Sequence, residues 1–193
     1  MNYNIVDIDD DASSNSNDNS GRFSYVKAFE NELKKLYSAS LSLRYSACVE
    51  IGNIAFLGGE AIESYILRNR RFLQVLMKIS TSVVEPSMLR LQVIQTIYVL
   101  CRSNQLYKVM IEYKLFDHLL TLIKDRNEDI RKWAIHVMLN VVVKKFEYFK
   151  DNLLLPGLEA QVAKIAKEDW NNWIYNDADE LLILIKLLKE ENN

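Results

Sequence analysis

The stretch LRYSACVEIGNIA, residues 43–55, carries an arginine followed by apolar residues three, four and seven positions later. That spacing places the apolar side chains on one face of a helix. The pattern recurs as LRLQVIQTIYVLC at 89–101 and as IRKWAIHVMLNVV at 130–142. The arginines Arg44, Arg90 and Arg131 are 46 and 41 residues apart, a period typical of solenoid repeats of two or three helices.

The three stretches also match one another beyond the arginine. The residues three and seven positions after it are apolar in every copy: Ala47, Val93 and Ala134, then Ile51, Ile97 and Met138. Nine positions after it, the first and third copies have Asn53 and Asn140, whereas the middle copy has Val99. A small residue one turn after the arginine lets a neighbouring helix approach closely, and the later apolar positions fill the layer between repeats.

The remainder of the chain from residue 22 to 193 is predicted to be helical as well. The 5 glycines and 2 prolines are too few for the turns of a sandwich or barrel. Gly58 and Gly59 are predicted to end the first long helix, and Asn127 to cap the third. Asp177, with Glu180 three residues later, is predicted to form a capping box for a final helix. The predicted fold class is therefore all-α.

Residues 1–21 are different in composition, because they are acidic and rich in asparagine, aspartate and serine. Such a segment has too little apolar surface to offset the entropy lost on ordering. We expect a disordered tail over 1–21, followed by one helical domain over 22–193.

Charge, cysteine content and the pattern of apolar residues restrict the class of partner and the cellular location. With 24 basic and 26 acidic side chains the net charge is −2, so a nucleic-acid partner is not expected. Cys48 and Cys101 lie within apolar helical patterns and are predicted to be buried, reduced thiols. The sequence has no secretory signal pattern and no apolar run of membrane-spanning length, so we expect a cytoplasmic protein with no membrane partner.

The pattern R-x-x-A-x-x-x-[IM]-x-N around Arg44 and Arg131 resembles the third helix of armadillo repeats. The resemblance covers about residues 27–143. It implies a right-handed α-solenoid of about three armadillo-like repeats, closed by a C-terminal helical pair. In armadillo proteins the third helices line a concave groove whose asparagines hold an extended peptide, which implies this role for Asn53 and Asn140. Val99 interrupts the series.

A narrower resemblance involves four segments: LRYSACVEIG at 43–52, AIE at 61–63, RLQVIQTI at 90–97 and GLE at 157–159. Their order is similar to that in the armadillo-type nucleotide-exchange factors of DnaK-class heat-shock chaperones. This resemblance implies a co-chaperone that clamps the ATPase domain of its partner and speeds nucleotide release.

A polar stripe runs along the third long helix at intervals of four residues. In most helices such a stripe is simply a solvated face, but in a solenoid it is the concave surface. The middle and first helices place polar side chains on the comparable face. The predicted partner-binding residues are Asn53, Gln95, Arg102, Lys132, His136, Asn140 and Lys144.

A second candidate surface lies near the end of the chain. Trp170, Trp173 and Tyr175 precede a final helix that is apolar on nearly every side from 181 to 188. The aromatic residues are predicted to cover the core of the last repeat, with a partner hot spot as the alternative. The final helix either packs between two layers or leaves one face for a partner or a second copy.

Catalytic and metal sites are not predicted. His118 and His136 have no cysteine, histidine or carboxylate at helical spacing that would complete a zinc site, and no cofactor-binding motif is present. The acid pairs Glu128–Asp129 and Asp177–Asp179 fall in first helical turns, where they complement the helix dipole. We therefore expect a non-enzymatic adaptor or scaffold that binds another protein. The alternatives are the co-chaperone function and a structural subunit of a larger, for example cytoskeletal, assembly.

Overall fold

The computed structural model describes residues 24–191, which form eleven α-helices and no β-strand. The helices are α1 Tyr25–Leu36, α2 Leu41–Leu57, α3 Gly59–Arg68, α4 Arg71–Thr81, α5 Ser87–Leu100, α6 Asn104–Glu112, α7 Leu115–Leu122, α8 Glu128–Lys144, α9 Phe146–Leu153, α10 Leu158–Ala166 and α11 Asp177–Glu191. The prediction of an all-α protein is confirmed. The predicted tail, residues 1–21, lies outside the described residues.

Short polar side chains begin several of these helices. Ser40, Ser103 and Asn127 each accept a hydrogen bond from the backbone N–H three residues later, over 3.4, 3.1 and 3.1 Å. These bonds satisfy one of the amides that have no partner in the first helical turn. The predicted cap of α8 by Asn127 is thereby confirmed. The first long helix also ends as predicted, because Gly59 adopts a left-handed conformation with φ 48°.

Two details of the helix predictions need correction. The cap of α11 is Asn176, whose Oδ1 accepts from the N–H groups of Ala178 and Asp179 at 3.1 and 3.3 Å. The predicted capping box is wrong, because Asp177 already belongs to the helix and its carboxylate bonds elsewhere. The separate helix α9 was not predicted; it begins where Lys145, with φ −142°, interrupts the backbone after α8.

Helices α2, α5, α8 and α11 form what we call the central row. Along it α2 packs against α5, α5 against α8, and α8 against α11. Each member also packs against another helix that precedes it, namely α1, α4, α7 and α10 respectively. A further layer of contacts joins α3 to α6 and α4 to α7. The three stretches with similar sequence lie in α2, α5 and α8, so they occupy consecutive places in the row.

The three aligned arginines make equivalent ion pairs. Each binds a carboxylate in the segment that precedes the next helix of the central row. The pairs are Arg44–Glu85, Arg90–Asp125 and Arg131–Glu168. In the last pair, Nη2 of the arginine lies 2.7 Å from Oε1 of the glutamate. The matching pairs give the sequence repeat a physical role, because each arginine joins one repeated stretch to the segment that follows it.

Two of these arginines also bond backbone carbonyls close to their own helix. Arg90 Nε donates to the Ser80 carbonyl at 2.9 Å, and Arg131 Nη1 donates to the Asp125 carbonyl at 2.7 Å. Asp125 is thus held by its side chain to one arginine and by its backbone to the next. The connection before α8 is fixed from both sides.

The buried apolar side chains form one cluster that extends from α1 to α11. Two polar contacts cross it: Thr96 Oγ1 lies 2.9 Å from the Cys48 carbonyl oxygen, and the Tyr107 hydroxyl donates to the Val141 carbonyl at 3.1 Å. Among residues 24–191, no helix combines the length and apolar character needed to cross a membrane.

Candidate partner-binding site

The seven predicted site residues differ widely in accessibility. Asn53, Arg102 and Lys144 are exposed, while Gln95, His136 and Asn140 are half-buried. All seven belong to helices of the central row or directly follow one, as predicted from their register. They do not form one continuous polar stripe, however, because the side chains of Lys132, His136 and Lys144 bond to other parts of the protein.

The prediction needs correction first at Lys132, which is only 3% exposed. Its ammonium donates to the Asp169 carbonyl and lies 5.9 Å from the centre of the Trp170 ring. The lysine therefore fastens α8 to the segment before α11. A partner approaching the protein cannot reach this charge, so Lys132 is a structural residue.

Lys144 has a similar anchoring contact at the other end of α8. Its Nζ donates to the Cys101 carbonyl at 2.7 Å, next to the C-terminal end of α5. A cation at that position satisfies a carbonyl that has no partner within the helix and complements the helix dipole. Unlike Lys132, its side chain remains exposed, so its charge is still accessible from solvent.

His136 lies at the centre of an aromatic cluster that we define as Tyr98, Trp133, His136 and Trp173. Ring centres of the other three lie 4.6, 5.4 and 5.7 Å from the imidazole. The two tryptophans are 5.1 Å apart in an edge-to-face arrangement, which aromatic pairs favour. All four side chains are half-buried, so the cluster forms part of the surface.

A carboxylate fixes the imidazole within this cluster. His136 Nδ1 lies 2.6 Å from Asp177 Oδ2, and Asp177 is 8% exposed in the first turn of α11. The pair joins α8 to α11 across 41 positions of sequence. Because the carboxylate orients the ring and the neighbours are aromatic, the arrangement presents a rigid, amphipathic surface.

A surface cleft lies at the other end of the central row, between the C-terminal ends of α2 and α5. Its volume is about 300 Å³, and Arg102 places its guanidinium 4.5 Å from the centre of the Phe56 ring within it. Phe56 is 56% exposed. Stacked arginine and aromatic side chains can contact both apolar and acidic groups of a partner.

The thiols are not suited to nucleophilic chemistry. Burial raises the pKa of both Cys48 and Cys101 to about 12, although a nearby cation opposes the rise in each case. The thiolate, which is the reactive form, is therefore scarce at neutral pH. Burial also lowers the pKa of His118. Within the part of the chain that the structure describes, no three potential ligands are grouped to hold a metal ion.

Sequence reasoning found His136 but missed Tyr98, Trp133, Phe56 and Asp177. Trp133 was detectable, since it follows Arg131 by two residues on a helix already assigned to the groove. Asp177 was not detectable, because its partner lies 41 residues away and helical spacing relates only residues a few turns apart. Trp170 covers the core as predicted, with Nε1 donating to the Ile165 carbonyl at 3.0 Å. Tyr175 is 69% exposed, so the prediction that it also covers the core is wrong.

No protein-family model matches this chain, and no curated protein matches it either.

Proposed function

We propose that the chain is a non-enzymatic module that binds another protein through one face of its central row, the face that carries Asn53, Gln95 and His136. We further propose that the architecture is a right-handed solenoid of about three armadillo-like repeats, in which this face is concave. The ordered packing of α2, α5, α8 and α11 supports the architecture. The equivalent ion pairs of Arg44, Arg90 and Arg131 support it independently.

The observation that carries the binding function is the accessible aromatic cluster around His136. Tryptophan and tyrosine dominate the hot spots of protein interfaces, because they bury a large area and lose little side-chain entropy. Here the rings are already held by one another and by the bond to Asp177. A preorganised surface of this kind binds a partner at a smaller entropic cost.

Three further polar residues of the central row indicate the form of the partner. Gln95 is half-buried on α5, and Asn53 is exposed on α2. Their amides both donate and accept hydrogen bonds, as the backbone of an extended peptide requires. Asn140 is half-buried on α8, and its Oδ1 atom is buried without a hydrogen-bond partner among the described residues, so this oxygen reaches a peptide only when the side chain turns outward. We propose that these amides hold a peptide segment whose apolar side chain packs on the cluster.

Site-specific photo-crosslinking tests this assignment. Gln95 or Asn53 is replaced by benzoylphenylalanine, and crosslinked proteins from the native cell are identified by mass spectrometry. Lys108 on α6 and Lys164 on α10 are exposed positions outside the central row and serve as matched controls. We expect the same partner at both central-row positions and not at the controls. A partner captured only from α6 or α10 would contradict the proposal.

The co-chaperone function remains an alternative, based on the sequence resemblance. Its test is the rate at which a DnaK-class ATPase releases labelled ADP when the purified chain is added. An unchanged rate removes this alternative. The remaining alternative is that the chain is a structural subunit of a larger assembly. In that case we expect crosslinks to several copies of one filament-forming protein.

A further inference from the structure

An open groove lies between α1 and α3, outside the central row. Its volume is about 420 Å³, and it is lined by Glu30, Leu33, Lys34, Tyr37 and Tyr65. Leu33 and Tyr65 are half-buried, whereas Tyr37 is 61% exposed. The two charged residues have opposite signs and offset each other, so the groove offers mainly apolar and aromatic surface. Covering that surface with apolar side chains would be favourable, because it removes them from water.

Three arginines adjoin this groove at the junction of α3 and α4, and we call them the arginine cluster. Arg68 follows Tyr65 by three residues, so the two side chains lie on the same face of α3. Arg70 and Arg71 complete the cluster, and all three arginines are exposed. The Nε atoms of Arg68 and Arg70 each donate to a backbone carbonyl of α3 over 3.2 Å, which holds these two guanidinium groups in place.

The carboxylates near the arginine cluster do not neutralise it. Glu112 of α6 lies 3.6 Å from Arg70 in an exposed pair, and the other two arginines form no ion pair within residues 24–191. Three arginines against one glutamate leave two positive charges. The other acids on the helices around this junction are Glu60 and Glu63 in the first half of α3, and Asp117 of α7, which follows Lys114 by three residues.

The amino-terminal segment of the chain has the complementary pattern. Residues 3–8 read YNIVDI and include three aliphatic side chains, and three consecutive aspartates follow at 9–11. The first basic side chain after them is that of Arg22. An apolar stretch followed by three acids matches an apolar groove followed by three arginines. A short motif within a polar segment can become ordered when it binds.

The length of the intervening chain fits a contact within one molecule. Residues 12–23 connect the acidic motif to Ser24, which caps the start of α1. At a rise of about 1.5 Å per residue, the groove-lining part of α1 lies about 9–20 Å beyond Ser24. A flexible segment of twelve residues has a root-mean-square length of about 17–21 Å. A tether whose length matches the span gives the highest effective concentration.

We propose that residues 3–11 bind the groove between α1 and α3 of the same chain. The aliphatic side chains of the segment pack on Tyr37 and Tyr65, and the three aspartates pair with the arginine cluster. Because this surface lies outside the central row, the contact does not depend on the proposed partner-binding face. Another anionic molecule reaches the arginine cluster only when the segment is released.

Photo-crosslinking within the full chain tests this contact. Ile8 is replaced by benzoylphenylalanine, and the crosslinked positions are mapped by mass spectrometry. An equal mixture of unlabelled and heavy-isotope-labelled chains distinguishes crosslinks within one chain from crosslinks between two. We expect crosslinks within one chain, to α1 and α3. Their yield should fall as salt is added, because exposed ion pairs are screened.

Substitution of the arginine cluster tests the charge contribution. The variant is Arg68→Gln/Arg70→Gln/Arg71→Gln. It should lower the yield of crosslinks to α1 and α3 by about threefold or more, because three exposed ion pairs are lost. A matched control removes three exposed lysines elsewhere and should leave the yield unchanged: Lys124→Gln/Lys164→Gln/Lys167→Gln. Circular dichroism verifies that both variants keep their helices.

A charge exchange completes the test. The variant Asp9→Arg/Asp10→Arg/Asp11→Arg changes no residue of α1 to α11 and should abolish the crosslinks to α1 and α3. Combining it with Arg68→Glu/Arg70→Glu/Arg71→Glu should restore them, because the charges are complementary again. Crosslinks that map to other helices or join two chains would overturn the proposal. An unchanged yield in the aspartate variant, or a combination that fails to restore the yield while the helices are intact, would do the same.

Discussion

The Arg90 side chain connects three segments of the described chain. It is 8% exposed and joins three segments: its own helix α5, the end of α4 through the Ser80 carbonyl, and the Asp125 carboxylate before α8. A guanidinium suits this position because its fixed fork of donors satisfies a carboxylate and a carbonyl at once. Removing it would take this donor from both acceptors, and the Asp125 carboxylate would keep only the hydrogen bond from the Asn127 N–H.

We predict that Arg90→Met destabilises the protein by about 3 kcal/mol, because one partner of a largely buried ion pair is lost. The measurement is the free energy of unfolding in urea. Arg70→Met is the control, since Arg70 and Glu112 form an exposed pair over 3.6 Å whose loss costs about 0–1 kcal/mol. Equal losses for the two variants would show that the ion pair before α8 has no special role.

Individual residues differ in how far the sequence predicts their positions and contacts. The register of Arg44, Arg90 and Arg131 is visible in the sequence because a helical period repeats. Their acidic partners are not, since they lie 35 to 41 residues away and many exposed acids compete for the assignment. The prediction that Lys132 binds a partner is wrong for a related reason: helical spacing identifies a shared face but does not show what covers it.

At the scale of elements, the contacts of the first turn of α11 hold this helix in place. Asn176 receives two backbone N–H groups and donates its own amide to the Ala166 carbonyl at 2.9 Å. The cap therefore also ties α11 to the end of α10. The adjacent Asp177 fixes the same turn to α8 through His136.

Asn176→Ala should destabilise the protein by about 1–2 kcal/mol, because both the helix cap and the bond to α10 are lost. The thermal unfolding midpoint, followed by circular dichroism, measures this loss. Asn172→Ala changes an exposed asparagine in the same connection and should leave the midpoint almost unchanged. If the two variants have the same midpoint, the cap of α11 contributes little.

Helix positions were predictable because local chemistry decides them. Ser40 and Asn127 each directly precede an apolar helical pattern, so a helix start is indicated there without any distant contact. The start of α9 was not predictable in this way, because Lys145 has neither a special side chain nor a special backbone preference. The choice between Asn176 and Asp177 as cap also required the structure, since both side chains are good caps and their distant partners, Ala166 and His136, distinguish them.

At the scale of the whole molecule, the continuous core and the distribution of tryptophans are informative together. Buried side chains connect all eleven helices in one cluster. The 3 tryptophans, by contrast, all lie between α8 and the start of α11. Tryptophan fluorescence therefore reports on one end of the protein, while circular dichroism reports on every helix.

We predict that urea unfolding followed by tryptophan fluorescence and by circular dichroism has the same midpoint, because a continuous core couples the two ends. The variant Leu181→Ala, which removes a fully buried side chain of α11, should shift both midpoints together. A fluorescence midpoint at lower urea than the dichroism midpoint would show that α8 to α11 unfold separately, as in a long repeat array.

In each of the three ion pairs the arginine precedes its carboxylate in the sequence, and this order has a consequence for synthesis on the ribosome. Each arginine meets its carboxylate only after a further 41, 35 or 37 residues have been added. At a synthesis rate of about 5–20 residues per second, each carboxylate is incorporated about 2–8 s after its arginine. The ion pairs therefore become available one after another from the amino terminus, so that a newly emerged segment is joined to structure already formed behind it.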